Sequence, residues 1–218
     1  MHPKRIASAA LVLSQATISH AVNIIAFPLT NCRSDPLRGS CIGISPATCC
    51  LFPTGGLIAQ SMMFTLLQEC DLGIWYYESP GAGTQCGIAR DTVVGRHEYV
   101  CLSGGTNAPG GGAAWFDLTQ CLTSTMSRLA ESDPAALQAE VGPCTDQVFA
   151  TLYAWPDDEP GVYALTPTRE QFDEISRLPV AASNAEEVEI LKSYNATYYE
   201  DPALLPGHEH EQKRTDAE

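Results

Sequence analysis

The alternation of apolar and polar positions divides the chain into a strand-rich first part and a later part with helical spacing. Before residue 118, short runs of β-branched and aromatic residues are separated by stretches rich in Gly and Pro, which is typical of strands joined by loops. The first run is also compatible with a buried helix, because a continuous apolar stretch does not reveal its period. The predicted strands are residues 57–67, 73–78, 88–94, 98–102 and 113–118.

The apolar spacing becomes helical after residue 118. Leu118, Leu122, Met126 and Leu129 follow one another at intervals of four, four and three residues, and this spacing predicts a helix. Pro134, which fits the first turn of a helix, indicates a second short helix directly afterwards.

The last third of the chain contains signals for a hairpin, two helices and a tail. Residues 147–155 alternate in polarity and precede a turn at 157–161, so we expect them to pair with residues 162–165. Residues 202–218 are polar and rich in helix breakers, and we expect them to be disordered. Two pairs of residues resemble capping boxes ahead of helices: Thr168 with Gln171, and Ser183 with Glu186.

The N-terminus has the three parts of a secretory signal peptide. Lys4 and Arg5 precede a short apolar run at residues 6–13, and a small-x-small exit ends at Ala21. We expect cleavage after Ala21, which makes residues 1–21 the signal peptide and the mature protein secreted and extracellular. A membrane anchor and a buried helix are the alternatives, but the run is far shorter than the roughly 20 apolar residues that a bilayer span needs. No membrane anchor is expected later in the chain.

The chain is acidic, with 26 Asp and Glu against 12 Lys and Arg and a net charge of −14. Loss of two basic residues with the signal peptide moves this charge from −14 to −16. Nucleic acids and anionic membrane surfaces repel such a chain, so we expect neither as a partner. Most of the charge is late, since residues 130–218 carry nineteen acidic and five basic side chains, whereas residues 22–129 carry seven and five.

Composition also changes near residue 150, because fifteen of the seventeen glycines precede residue 151. After the signal peptide, the predicted organisation is a Cys- and Gly-rich β module at 22–150, an acidic hairpin-helix extension at 151–201 and a disordered tail at 202–218.

Three roles compete for the nine cysteines. Structural zinc sites use pairs of ligands two to four residues apart, and no C-x-x-C occurs here. A catalytic thiol needs a base, but after signal cleavage only His97, His208 and His210 remain and none indicates a cysteine partner. A disulfide framework is favoured, because export passes through an oxidising compartment. The candidates are Cys32, Cys41, Cys49, Cys50, Cys70, Cys86, Cys101, Cys121 and Cys144.

The spacing of these cysteines limits how they pair without assigning the pairs. Cys49 and Cys50 are adjacent and would point to opposite sides of an extended backbone, so they should bond to two different partners. Nine cysteines cannot all pair within one chain. Either one thiol stays free, with Cys144 the outlier by position, or one forms a disulfide-linked dimer.

The pattern Cys32-x8-Cys41-Ile-Gly-Ile-x4-Cys49-Cys50 resembles the "SCxGIxPxxCC" opening of small secreted cysteine-rich proteins of filamentous fungi. The resemblance covers residues 32–166 and includes the order of the later cysteines, with the Cys101-Leu102 pair ahead of two glycines. It implies a stapled fold and an effector-like role in virulence, and it brings no catalytic residues. The acidic extension after residue 166 departs from the pattern.

Motifs that resemble catalytic or metal sites have simpler explanations. The glycines after residue 103 lack the lysine of a phosphate loop, and Gly43–Ala47 misses the last glycine of a serine elbow, so we expect a loop and a turn. His97 is expected on a strand, and two histidines in a tail do not form a preorganised metal site. We expect the carboxylates at Glu69 and Asp71, and those at residues 157–159, to be solvated.

Three further features concern modification and ligand binding. Asn195 begins the sequon Asn-Ala-Thr and is a predicted N-glycosylation site. Lys213 and Arg214 form a dibasic pair that a secretory protease could cut. Trp75 and Trp115 lie in aromatic clusters that are either core or a stacking platform for sugars.

The sequence therefore predicts an α+β protein, a disulfide-stapled antiparallel β module with C-terminal helices and a disordered acidic tail. The predicted function is non-enzymatic, effector-like binding of an unknown extracellular protein or polysaccharide. An extracellular hydrolase with carboxylate catalysis and a structural component of a cell wall or surface are the alternatives. No catalytic residue, metal ligand or cofactor is assigned.

Overall fold

The computed structural model describes residues 20–32, 38–57, 59–77, 86–95, 99–103, 110–118 and 133–205. Within these residues the protein is mostly β, with three α-helices. The strands are β1 Val22–Phe27, β2 Gly39–Ile44, β3 Thr48–Leu51, β4 Ser61–Thr65, β5 Asp71–Tyr77, β6 Ile88–Val94, β7 Tyr99–Ser103, β8 Gly110–Asp117, β9 Asp146–Phe149, β10 Thr151–Ala154, β11 Val162–Leu165 and β12 Thr197–Tyr199. The helices are α1 Pro134–Val141, α2 Arg169–Ile175 and α3 Asn184–Ser193, with short 3-10 turns at Thr30–Cys32 and Pro202–Leu204.

The strands form two sheets. A seven-stranded sheet has the order β12-β11-β10-β2-β1-β4-β7, and a five-stranded sheet has the order β6-β5-β8-β3-β9. The described pairs are antiparallel except β3 with β9, which run parallel. The three strands that follow residue 150 extend the seven-stranded sheet through β2, so the change in composition is not a gap in the hydrogen bonding.

The five-stranded sheet is covered on both faces. Alternate residues of a strand point to opposite faces, and in β5 they enter two different apolar clusters. Trp75 belongs to the same buried cluster as Phe64 of the other sheet, whereas Tyr76 belongs to the cluster that contains Leu137 of α1 and Phe172 of α2. Double coverage explains why β5 is buried along nearly its whole length and shows no amphipathic alternation in the sequence.

The strands predicted before residue 118 are confirmed, with shifted ends. β6 coincides with the predicted 88–94, while the apolar run at 57–67 is a strand only at 61–65 and is not a helix. β1, β2, β3 and β12 were not predicted. The helix predicted after residue 118 lies outside the described residues, apart from residue 118 itself.

The predicted strand 147–155 is two strands in different sheets. β9 pairs with β3 in the five-stranded sheet, and β10 pairs with β2 and β11 in the seven-stranded sheet. Between them Ala150 is fully buried, and its N–H donates to the Leu51 carbonyl at 2.9 Å. The hairpin with residues 162–165 is therefore confirmed for β10 alone.

Local capping signals place the helices. Thr168 accepts from the Gln171 N–H at 3.3 Å while the Gln171 side chain accepts from the Thr168 N–H at 2.9 Å, which completes the predicted box. Ser183 accepts from the Glu186 N–H at 3.3 Å, but the Glu186 carboxylate accepts from residue 182 instead of 183. None of the helices among the described residues is long and apolar enough to cross a membrane.

The beginning of the predicted tail differs from expectation. The predicted disordered tail at 202–218 begins with a 3-10 turn, and Leu205 is 3% exposed against the outer face of the seven-stranded sheet. Residues 206–218, which include the dibasic pair, lie outside the described part. Elsewhere, segment 54–57 lies against the residues that follow α2, because the Gly56 N–H donates to the Leu178 carbonyl at 3.3 Å and the Ala181 N–H donates to the Gly56 carbonyl at 3.0 Å.

Disulfides join these layers. The bond Cys41–Cys50 links β2 to β3 and so ties the two sheets together. The bond Cys49–Cys86 links β3 to the residues before β6. As predicted, the adjacent cysteines on β3 have different partners. The 3-10 turn at Thr30–Cys32 is bonded to β7 through the disulfide Cys32–Cys101. Cys70 is also in a disulfide, and Cys144 is a free thiol. Cys121 lies outside the described residues.

Candidate functional site

The edge of the five-stranded sheet carries an aromatic, an aliphatic and a cationic side chain. Tyr77 at the end of β5 is opposite Ile88 at the start of β6, and their exposed fractions are 37% and 53%. The guanidinium carbon of Arg90 lies 4.3 Å from the ring centre of Trp75 and 5.2 Å from that of Tyr77. We name Tyr77, Ile88 and Arg90 the β5–β6 edge patch.

Helix α1 shapes this edge. The Gln138 side chain accepts from the Ala89 N–H at 2.8 Å and donates to the Gly87 carbonyl at 2.9 Å, as a neighbouring strand would. An unpaired strand edge invites association through its backbone. Because Gln138 occupies these backbone groups, the Ile88 side chain remains as the exposed feature of this end of β6.

The cation of the edge patch is partly withdrawn from water. Burial lowers the pKa of Arg90, while nearby Tyr77 and Asp91 oppose that shift. An arginine remains charged at neutral pH even so, because its ordinary pKa is above 12. The patch therefore presents a positive charge between aromatic rings on a chain whose net charge is −14.

A buried carboxyl lies at the other end of β5. Asp71 is 2% exposed, accepts from the Gln68 N–H at 2.6 Å and lies 2.7 Å from Nε2 of His20, and because His20 belongs to the predicted signal peptide this last contact is one of the uncleaved precursor. Burial raises the pKa of Asp71, and its cross-strand partner Asp117 adds to that rise. The expectation of a solvated carboxylate is wrong for Asp71, because the turn before β5 folds over it. The acidic residues at 157–159 are exposed, as expected.

Three cysteine sulfurs meet on the face of the five-stranded sheet that α1 and α2 cover. The Sγ atoms of Cys49, Cys86 and Cys144 all lie within 4.8 Å of one another. Burial raises the pKa of the Cys144 thiol, and a hydrogen bond with the Tyr76 hydroxyl opposes that rise. This arrangement places a nucleophile beside a disulfide.

The two tryptophans do not form a stacking platform. Trp75 and Trp115 are 0% and 1% exposed, because each lies between the two sheets. The Trp115 Nε1 donates to the Ile44 carbonyl at 3.0 Å, which satisfies its polar atom inside the core. Their burial agrees with the core interpretation and opposes ligand stacking at these residues, and the exposed aromatic residue of this cluster is Tyr77.

The remaining predicted residues fall in turns or outside the described part. Residues 45–47 form a turn in which the Thr48 N–H donates to the Ser45 carbonyl at 3.3 Å, as expected in place of a serine elbow. Asn195 is exposed in the turn after α3. His97, His208 and His210 lie outside the described residues.

No family model matches the chain, and neither a curated protein nor a solved structure matches it.

Proposed function

We propose that this chain is a secreted, disulfide-stapled, non-enzymatic protein that acts by binding a protein outside the producing cell. In this proposal it is an effector-like protein of the kind that its cysteine pattern resembles. Its described residues have an α+β organisation, in which the acidic segment 151–201 continues the seven-stranded sheet of the Cys- and Gly-rich module at 22–150.

The observation that carries the proposal is the pairing on β3. Cys49 and Cys50 bond to partners in two different directions and hold both sheets to one strand. Disulfides of this kind form and persist on the export route and are rare in the reducing cytosol. The predicted signal peptide supplies that route.

The choice of a protein partner rests on the β5–β6 edge patch. Aromatic residues and arginine are enriched at the centre of protein interfaces and dominate their binding energy. Sugar binding would need an open aromatic face, but both tryptophans are buried and Arg90 lies over the Tyr77 ring. We therefore favour a protein over a polysaccharide.

Export is tested first, by expression of the full chain in a eukaryotic host that secretes proteins. We expect the protein in the medium with Val22 at its N-terminus and with the bond Cys41–Cys50 in a non-reducing peptide map. Retention of the chain inside the cell with reduced thiols would contradict the proposal.

Binding is tested with arrays of purified extracellular proteins and of polysaccharides, and the Kd of each hit is then measured. Replacement of one interface anchor typically removes about 2 kcal/mol, so Tyr77→Ala should weaken binding about thirtyfold. Ile88→Ser should also weaken it. Val180→Ser is the matched control, because Val180 and Ile88 are both 53% exposed. Binding to polysaccharides alone, or equal loss in the control, would refute the assignment.

We also propose that Asn195 carries an N-linked glycan. Its side chain is exposed at a turn where a transferase has access, and Thr197 of the sequon is exposed as well. Endoglycosidase treatment should lower the mass of the secreted protein and leave the mass of a Thr197→Ala variant unchanged.

The hydrolase alternative has one supporting observation, the raised pKa of Asp71 next to Asp117. A carboxyl with a raised pKa beside a second carboxyl is a pattern used in acid catalysis. In the uncleaved chain the 2% exposure of Asp71 opposes this role, since a substrate must reach the acid, whereas cleavage after Ala21 would remove His20 from beside it. Cleavage of any polymer that disappears in Asp71→Asn and Asp117→Asn variants would favour the hydrolase.

A further inference from the structure

The cysteine cluster joins three segments that are far apart in the chain. Cys49 lies on β3, Cys86 precedes β6 and Cys144 precedes β9. β3 and β9 are parallel neighbours, and the Thr145 N–H donates to the Ala47 carbonyl at 2.8 Å. The chain on both sides of the cluster is therefore held by the sheet, which brings the free thiol to the disulfide.

We propose that these residues form a thiol–disulfide exchange site in which Cys144 attacks Cys49, forms the bond Cys49–Cys144 and releases Cys86 as a thiol. One S–S bond forms as another breaks, and the proton lost by Cys144 is taken up by Cys86. The number of thiols and disulfides stays the same, so the step needs no oxidant or reductant. This inference goes beyond the proposed binding function and does not depend on it.

The approach requires a short local movement. The Sγ atoms of Cys144 and Cys49 lie within 4.8 Å of each other, and they must approach to about 2.05 Å to form a disulfide. Residues 142–145 precede β9 and are in neither a helix nor a strand. Gly142 has a φ of 79°, and a Cβ added there would meet no heavy atom of the described residues within 4 Å, so the described part of the fold leaves this end of the segment room to move. The sheet itself need not change.

Solvent access selects which sulfur leaves. Exchange is faster when the leaving sulfur is stabilised as a thiolate, and apolar burial opposes that charge. Cys49 is 0% exposed, whereas Cys86 is 9% exposed. Departure of Cys86 is therefore favoured. The new bond Cys49–Cys144 would also join two strands that are already hydrogen-bonded neighbours.

The thiol in the resting protein is held back from exchange. Burial raises the pKa of Cys144, which lowers the thiolate fraction, although the Tyr76 hydroxyl is placed to donate to a thiolate. Exchange should therefore be slow, and it should move the reactive sulfur from Cys144 to Cys86. A mixed disulfide with a second molecule would then form at Cys86, at the start of the sheet edge, and not at Cys144.

The test is alkylation of the folded, full-length mature protein with N-ethylmaleimide. Samples are quenched in acid over time and mapped by non-reducing digestion and mass spectrometry. We expect a thioether at Cys86 to appear together with a peptide that contains the bond Cys49–Cys144. Cys41 and Cys50 should stay bonded, which shows that the disulfides have not been scrambled by unfolding.

Two cysteine variants show whether labelling at Cys86 depends on attack by Cys144 or only on exposure of Cys86 to solvent. Cys144→Ser removes the attacking sulfur, so labelling at Cys86 should fall to background while the bond Cys49–Cys86 remains. Cys86→Ser should contain the bond Cys49–Cys144, and its unfolding temperature shows whether it folds. Three results with the wild-type protein would each overturn the proposal: label confined to Cys144, label at Cys49, or no label in the folded protein. None of them depends on whether a variant folds.

Discussion

The ion pair between Arg38 and Glu187 should be one of the most sensitive polar contacts in the fold. Arg38 precedes β2 and Glu187 lies in the first turn of α3, so the pair joins the helix to the seven-stranded sheet. The exposed fractions of the two side chains are 12% and 10%. Within the described residues, Arg38 Nε is buried and has no hydrogen-bond partner, so the Glu187 carboxylate provides the compensation for the charge of Arg38.

The expected effect follows from this burial. Removal of one member of a buried pair costs about 3–5 kcal/mol, because the other charge is left uncompensated. The pair retains some solvent contact, so we expect Glu187→Ala to lower the free energy of unfolding by about 3 kcal/mol. For a chain of this size that corresponds to a fall of about 6–12 °C in Tm.

Urea and thermal unfolding of the oxidised protein measure this effect. A loss of about 3 kcal/mol moves the midpoint by roughly 1 M urea when m is about 3 kcal/mol/M. Glu189→Ala is the matched control on the same helix, because the Glu189 side chain is 72% exposed beside Lys192. This control should leave the midpoint essentially unchanged.

A double variant tests the reason for the effect. Arg38→Met combined with Glu187→Leu removes both charges, so most of the stability should return, to within about 1 kcal/mol of wild type or above it. The reasoning is refuted if Glu187→Ala costs less than about 1 kcal/mol, which is typical of surface pairs. It is also refuted if the double variant is no more stable than the single one.

Three further results follow from the structure. Burial raises the pKa of Asp71 above 3.8, so the stability of the wild type relative to Asp71→Asn should be greatest below pH 3.8. This difference in stability should fall as the pH rises through the folded-state pKa. Urea unfolding at several pH values measures it, and a difference that grows with pH would contradict the assignment. Gly55→Ala should destabilise the protein by about 2 kcal/mol, because its Cβ would lie 2.6 Å from the Ser176 carbonyl oxygen directly after α2. Gly43 has a φ of 65°, and a Cβ added there would meet no heavy atom of the described residues within 4 Å, so Gly43→Ala should cost about 1 kcal/mol in the same assay. On the chain-entropy relation, loss of the disulfide Cys32–Cys101, which spans 69 residues, should lower the free energy of unfolding by ~4.4 kcal/mol. Loss of Cys41–Cys50, which spans 9 residues, should lower it by ~2.6 kcal/mol. Equal losses in calorimetry would argue against that relation here.

The strands that sequence analysis located have a local signature. β6 lies between turn-forming segments and is intermediate in burial, so its ends follow from the residues within it. β1 has no such signature, since its six residues are all buried and follow directly on the predicted signal peptide. The two sheets and the segments packed on their outer faces cover many strands on both sides, and this removes the alternation by which a strand is recognised.

The candidate site was predictable only in part. The aromatic cluster around Trp75 was identified, but alternation places Trp75 and Tyr77 on the same face and cannot say which of them is covered. Tyr77 is exposed because it lies at the end of its strand, and Arg90 reaches it only because β5 and β6 pair in that register. The free thiol at Cys144 was expected from its position, whereas its proximity to the disulfide was not.

The residue order alone determined the elements that begin with a capping or turn signal, and it required two partners for the adjacent cysteines on β3. These features depend on backbone preferences over a few residues. Tertiary structure alone decided that the chain changes sheets at Ala150, that Asp71 is enclosed, and that three sulfurs meet in one place. Burial and proximity of this kind arise from contacts between residues distant in the chain, and the periodicity of any single segment carries no record of its partners.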